Sequence, residues 1–249
     1  GDDPMGQRHE GRAAATVADL WERYRREHLP YKAASSMSED TSMFMNYILP
    51  NMGKKKVRDV SASDVDKLHA DITANGRCYR ANRVVSLLRK ALNLSVRWEW
   101  RDDNPASGAR MNVEERRTRF LTPAEIGRLS DALASHKERV SANAIRLLLL
   151  TGARRNEVLS AKWSMFNLEN GVWTKPSAHT KQRKEHRVPL SKPALELLRE
   201  MKSQAVSDAV FPGRDGKPLT DIKRTWATVS KDAGLEDVRL HDLRHTYAS

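Results

Sequence analysis

The chain has 249 residues, enough for one large domain or two ordinary ones, each able to bury a core. Lys and Arg number 44 against 32 Asp and Glu, a formal charge of +12, which favours a polyanionic partner: nucleic acid first, an anionic membrane or acidic protein after it. One cysteine, Cys78, excludes an internal disulfide and a cysteine metal cluster and fits a reducing compartment, and 6% aromatic residues give little support to single-strand binding by base stacking.

The residues up to about 15 read as a flexible tail or expression remnant. The first helix is marked by Val17, Leu20, Trp21 and Tyr24 at i, i+3, i+4 and i+7, with Thr16 as N-cap. A second is expected over residues 36–49, broken by Pro50, Asn51 and Gly53, with Met37, Met43 and Met45 as flexible core filler. Ser61 or Ser63 opens a third through Val65, Leu68 and Ile72, ending near Asn75-Gly76. The fourth, over residues 79–98, carries Val84, Leu87, Leu88, Ala91, Leu92, Leu94 and Trp98 on one side and Arg80, Arg83, Arg89, Lys90 and Arg97 on the rest. Residues 16–105 therefore read as an all-α domain with a basic exterior, and residues 106–119 as a linker by composition. Cys78, between two helical segments, reads as a small packing residue.

A second domain, residues 120–249, opens at Thr122-Pro123-Ala124-Glu125, a capping box with proline in its favoured place. Helices are expected over residues 122–134 and 138–151. Val172-Trp173-Thr174 and His186 to Leu190 read as short strands around a polar turn at Lys181 to Lys184. Ser191 restarts helix, another covers residues 219–232, and a last one begins around His241. The fold class is mainly α with a small antiparallel β-sheet, in two domains. The longest apolar run, Leu147 to Leu150, is far too short to span a bilayer.

Three segments carry chemistry. In Leu147 to Leu159 an apolar helix meets a Thr-Gly turn and restarts with arginine, so a guanidinium fork and helix N–H groups can face a phosphate; a solvated corner is the plainer alternative. His179 to Arg187 gathers positive charge at a hairpin tip suited to a DNA groove, although a solvated turn is the commoner meaning of such a run. In Val238 to Ser249, His241 and Arg244 lie three apart on a helix face and can bring an acid–base group and a charge clamp to one phosphate, although an isolated His-x-x-Arg is common and usually carries no chemistry. No carboxylate or cysteine pattern accompanies His179 and His186, so no metal site is expected.

Taken in this order, the segments resemble the tyrosine recombinase, or phage integrase, family. Thr151-Gly152-Ala153-Arg154 with Glu157 matches its arginine box, Thr180-Lys181 leading to Arg187-Val188-Pro189-Leu190 its hairpin lysine, and His241-Asp242-Leu243-Arg244-His245-Thr246 its His-x-x-Arg box. The N-terminal region, with Leu49-Pro50 followed by Gly53-Lys54-Lys55-Lys56, is similar to the family's helical core-binding domain. The resemblance covers residues 16–249 and is most specific in the last box.

The resemblance implies a site-specific DNA recombinase that cuts and rejoins DNA through a 3′-phosphotyrosyl link, with no cofactor and no metal. Arg154 and Arg244 would hold the non-bridging oxygens, Lys181 would protonate the leaving 5′-oxygen, and His241 would act as acid–base or hydrogen-bonding group, with Glu157 bracing the site. Duplex contacts are expected from Lys54, Lys55, Lys56, Arg80, Arg83, Arg155, Arg183 and Lys184. The family acts as a homotetramer on paired DNA sites, in the bacterial cytoplasm with the nucleoid, with a prophage or similar mobile element as source and no membrane partner.

The family also places a further His or Trp, and then the nucleophilic tyrosine, well downstream of the last box, whereas this sequence reaches Ser249. Tyr247 falls within the box's own helix and is expected in the core. Residues 1–249 are therefore expected to form a monomer that binds duplex DNA without forming a covalent adduct. The alternatives are a non-catalytic DNA-binding protein derived from an integrase, a type IB topoisomerase-like enzyme, and a basic helical protein that binds acidic proteins.

Overall fold

The computed structural model describes residues 14–115, 117–176 and 186–248, and the chain divides into two units, residues 1–115 and 116–249. In the first unit, α1 (Val17–Glu27) begins where Thr16 Oγ1 accepts the Asp19 N–H at 3.2 Å and Asp19 returns an acceptor to the Thr16 N–H at 2.8 Å. Ser61, rather than Ser63, does the same with Asp64 to start α4 (Ala62–Ala74). The apolar stripe of α1 and that of α5 (Cys78–Arg97) meet over Phe44 and Ile48, and Trp21 stacks on Phe44 with ring centroids 4.6 Å apart. Burial of this shared apolar surface is what holds the unit together.

The break expected at Pro50 is absent. Helix α2 (Ala34–Met43) runs into a π turn, Phe44–Ile48, in which the Leu49 N–H reaches back five residues to Phe44 O, and continues as α3 (Leu49–Met52). Proline cannot donate, and its ring collides with the carbonyl four residues back. Widening the preceding turn relieves that collision and lets the helix pass through.

Two segments without apolar periodicity are nonetheless packed. Ala15 O accepts the Val57 N–H at 2.8 Å, and Ala14 O accepts Lys56 Nζ at 2.7 Å, so the chain is tied down from the first described residue, while residues 1–13 lie outside the described ones. Residues 106–115, assigned by composition to the linker, belong with the first unit: Ala106 is buried, and the Asn112 side chain donates to Thr73 Oγ1 at 2.9 Å. Asn82 also donates to Asn112 O at 2.9 Å. Polar side-chain-to-backbone bonds leave no periodic signal in a sequence.

In the second unit, α6 (Pro123–Ser135) and α7 (Arg139–Thr151) lead through a tight turn into α8 (Arg155–Leu159). A three-stranded antiparallel sheet follows, in the order β1 (Phe166–Asn167), β2 (Val172–Lys175), β3 (His186–Pro189), with Trp173 opposite Val188 and Lys175 opposite His186. Helices α9 (Lys192–Ser203), α10 (Lys223–Asp232) and α11 (Asp242–Ala248) complete the unit. Leu129, Ile145, Leu148, Trp173, Leu198, Val229 and Leu243 form one core.

Helix α10 starts at Lys223 and not at Leu219. The Leu219 N–H pairs with Phe211 O, and Asp221 Oδ1 takes the Ile222 and Lys223 N–H groups at 2.7 and 2.8 Å, closing the start of the helix. Among the described residues no helix is long and apolar enough to cross a membrane.

Candidate functional site

The Thr-Gly turn sets the site. Gly152 ends α7 in the left-handed conformation, φ +58°, with its N–H on Leu148 O at 2.9 Å. Its missing side chain admits Tyr247: a Cβ there would stand 2.9 Å from Tyr247 Cγ. Tyr247, expected in the core, is instead 52% exposed, with its ring lying on this glycine. Gly152→Ala is expected to destabilise the second unit by about 2–4 kcal/mol, combining left-handed strain with overpacking. Urea unfolding of Gly152→Ala beside Gly152→Ala/Tyr247→Ala checks this, because the second change should return the overpacking share and leave the backbone strain. Equal losses in both variants would contradict it.

After the turn, Arg154 sits extended at the head of α8. Glu157 Oε2 accepts the Arg154 N–H at 3.0 Å, and Glu157 Oε1 accepts its guanidinium at 2.9 Å. The Arg154 side chain stays 48% exposed while that of Glu157 is 5% exposed, so one edge of the fork is braced and the rest faces outward. The second arginine arrives from α11, where Arg244 donates to Gly152 O at 2.5 Å. The two boxes thus meet on one glycine, 92 residues before Arg244.

Helix α11 is positioned by a pairing that no motif marks. Asp242, 2% exposed, accepts the Arg239 N–H at 2.8 Å and Arg117 Nη2 at 2.9 Å, and Arg117 also binds Asp237. Burial raises the Asp242 carboxyl, but the Arg117 guanidinium and the Arg239 N–H outweigh it and hold the group below its ordinary value. Further along the segment that Arg117 begins, the Leu121 N–H donates to Thr246 Oγ1 at 2.9 Å, so the entry segment of the unit lies along its last helix. His241 is exposed next to this helix start, its ring 5.5 Å from that of His245 and perpendicular to it. Desolvation, then the neighbouring His245 and Arg244, depress its pKa, so the neutral imidazole is favoured.

A further cation enters from the sheet. Lys175, the last residue of β2, is 5% exposed, with Nζ 2.7 Å from Glu157 Oε2 and 4.3 Å from the centroid of the Trp173 ring. The alternation that buries Trp173 points Lys175 the same way, the one sequence signal that marks it. Lys181, Arg183 and Lys184, expected at the hairpin tip, lie outside the described residues.

Two clefts flank Arg244. One is lined by Lys175, His186, Arg187, Arg244, His245 and Tyr247, the other by Arg155, Lys223, Arg239, His241 and Arg244. No carboxylate stands among the described residues lining either cleft. Glu157 is the acid bonded to Lys175 of the first cleft. Burial pushes its pKa up, but hydrogen bonds from Lys175, the Arg154 N–H and the Arg154 guanidinium prevail and hold it at about 2. The arrangement suits an anion with several oxygens, bound by forked donors in a partly desolvated setting.

The other candidates for duplex contact are partly engaged within the fold. Lys55 bonds Asp64 at 2.5 Å, Lys56 bonds Ala14 O at 2.7 Å, Arg80 pairs with Glu39, and Arg83 lies 3.2 Å from Glu114. Arg155 is 3.8 Å from Asp221, and Lys54 is exposed. The pairs of Arg80, Arg83 and Arg155 are solvent-accessible, the kind that contributes little to stability and exchanges readily for a phosphate, while those of Lys55 and Lys56 are part-buried. Cys78 is half-buried at the head of α5, where its carbonyl accepts from Asn112 at 3.2 Å.

Residues 119–249 match the phage integrase family, and residues 15–112 match the phage integrase central domain. The chain is 28% identical over 233 residues to the integrase of Enterobacteria phage P4, covering 86% of this chain and 53% of the relative. It is 32% identical over 180 residues to the prophage integrase IntZ of Escherichia coli K12, covering 70% and 44%. The chain therefore spans about half the length of the relatives it matches. Its fold is similar to that of a lambda integrase tetramer bound to a Holliday junction, with a TM-score of 0.83, 19% identity, and coverage of 100% of this chain and 76% of the other. It is also similar to the Tn1549 transposon integrase in complex with circular intermediate DNA, with a TM-score of 0.77, 16% identity, and coverage of 94% and 86%.

Proposed function

Since the chain belongs to the phage integrase family, we propose that its second unit is the catalytic part of a tyrosine-type site-specific DNA recombinase and that its first unit grips the duplex beside the cut. The observation that carries this reading is the bond from Arg244 to Gly152 O, two residues before Arg154 at the head of α8, with clefts beside Arg244 rich in cations and free of carboxylate among their described lining residues. Two guanidiniums there can take the non-bridging oxygens of one phosphodiester as charge builds on phosphorus.

A tyrosine supplied by chain beyond Ser249 attacks phosphorus, forming a 3′-phosphotyrosyl bond and releasing a 5′-hydroxyl. Lys181 gives its proton to the departing 5′-oxygen. His241, kept neutral, serves as acid–base or hydrogen-bonding partner, and Glu157 holds Arg154 in place. The covalent link conserves the phosphodiester for rejoining to a second strand, which requires no cofactor. Tyr247 lies on Gly152 as a packing group and is not the nucleophile. As a recombinase the protein exchanges strands between paired sites as a tetramer, and residues 1–249 by themselves bind duplex DNA as a monomer.

The test uses nicked duplexes spanning the junctions of the DNA element that encodes the chain. Incubated with residues 1–249, they are expected to give no phosphotyrosyl band on a denaturing gel. Extended through its downstream coding sequence, the protein should give one. A band from residues 1–249 that is lost in Tyr247→Phe would overturn the assignment of the nucleophile. A stop codon directly after Ser249 would leave the non-catalytic, integrase-derived DNA-binding protein as the reading.

A further inference from the structure

We infer that Lys175 is a positioning residue that locks the arginine turn to the base of the hairpin and keeps the outer edge of Arg154 open for phosphate. The inference rests on the functional reading above.

A buried ammonium is costly, and more so close to two guanidiniums. Lys175 is 5% exposed, and Arg154 and Arg244 both lie near enough to disfavour its charge. Burial lowers its pKa first of all, and Glu157 opposes that shift. A position whose alternation with Trp173 calls for an apolar residue thus carries a cation at the meeting point of the site's charges. What holds it is geometry. Glu157 Oε2 is shared between Lys175 Nζ, at 2.7 Å, and the Arg154 N–H, at 3.0 Å, while Oε1 alone takes the Arg154 guanidinium, at 2.9 Å.

This division of the carboxylate has two consequences. The first is mechanical: Lys175 faces His186 across the last described rung of β2 and β3, so its bond to Glu157 ties the hairpin base to the start of α8. The second is electrostatic. With Oε2 occupied, the Arg154 guanidinium is held by one carboxylate oxygen and 48% of the side chain stays exposed. Without Lys175, both oxygens would compete for the guanidinium in the forked pairing that arginine favours, against the phosphate. With its Nζ committed to Glu157, Lys175 acts through Glu157 and Arg154.

The test measures the single-turnover rate of adduct formation on the nicked junction duplex, together with duplex affinity and thermal melting, in the protein extended through its downstream coding sequence. Lys175→Met is expected to lower the rate by about 100-fold, the order of effect that a small misplacement of a reacting group produces, with duplex affinity within about twofold. Lys175→Arg, which keeps a cation for Glu157, is expected to recover most of that rate, a rescue that a purely structural role would not require. Should Lys175→Met fail to fold, Lys175→Met/Glu157→Gln removes the orphaned charge and supplies a folded background, in which the rate is again expected to stay low.

An unsubstituted rate in folded Lys175→Met, or in the double variant, overturns the inference while leaving the recombinase reading intact. Equal rates for Lys175→Arg and a slowed Lys175→Met also overturn it. No adduct from the unsubstituted, extended protein overturns the functional reading and this inference with it.

Discussion

Replacing Arg154 by alanine in the extended protein is expected to cut the single-turnover rate of adduct formation by about a thousandfold, roughly 4 kcal/mol of transition-state stabilisation. Arg244 bonds the carbonyl of Gly152, two residues before Arg154, and no carboxylate among the described lining residues offsets charge in the clefts beside Arg244. The loss should fall on the chemical step. Binding energy comes from contacts along the whole duplex, whereas the outward edge of Arg154 meets one phosphate, so duplex affinity should change by no more than about threefold. Glu157 keeps Lys175 as a partner in Arg154→Ala, which protects the fold from an unpaired buried carboxylate. Arg154→Lys should be nearly as slow as Arg154→Ala, because an ammonium cannot span two oxygens as the planar fork does. A rate within about tenfold of the unsubstituted protein would remove Arg154 from the role assigned to it.

The second large effect is on binding. Residues 1–249 should lose about a thousandfold in affinity for a duplex of roughly 25 base pairs and arbitrary sequence between roughly 50 and 200 mM salt, the behaviour of a protein that neutralises about six phosphates. A dependence no steeper than this is expected because Lys55, Lys56, Arg80 and Arg83 already have partners within the fold, which must be exchanged for phosphate. Fluorescence anisotropy at four salt concentrations measures the slope. A slope of one or less, or no duplex binding at low salt, would favour a basic helical protein with acidic protein partners.

Much of the fold could be read from residues whose partners lie within one helical turn. Thr16 with Asp19, Ser61 with Asp64 and Thr122 with Glu125 each close a capping box, and the stripe from Val84 to Leu92 is buried as its spacing requires. The π turn before Pro50 was not legible, because the proline signal is the same whether the helix stops or widens. At the site, the two arginines carried recognisable boxes, whereas Lys175 and Arg117 carried none. Lys175 stands in a strand of four residues, too short for its alternation to stand out. Arg117 is one of several arginines in a charge-rich stretch, and its partner Asp242 lies 125 residues later. Residues whose role is to hold other residues depend on such distant pairs, and no local pattern announces them.

That separation also has a consequence in time. While the chain is being synthesised, Arg117 and Leu121 emerge from the ribosome long before Asp242 and Thr246, the groups they bind. At ordinary elongation rates, 125 residues take on the order of ten seconds, during which Arg117 lacks the carboxylate it binds in Asp242. Helix α11 brings Arg244 to Gly152 only once this last segment docks. A nascent chain can therefore fold its first unit while its second arginine is still unmade, so the two arginine boxes come together only after most of the second unit has been translated.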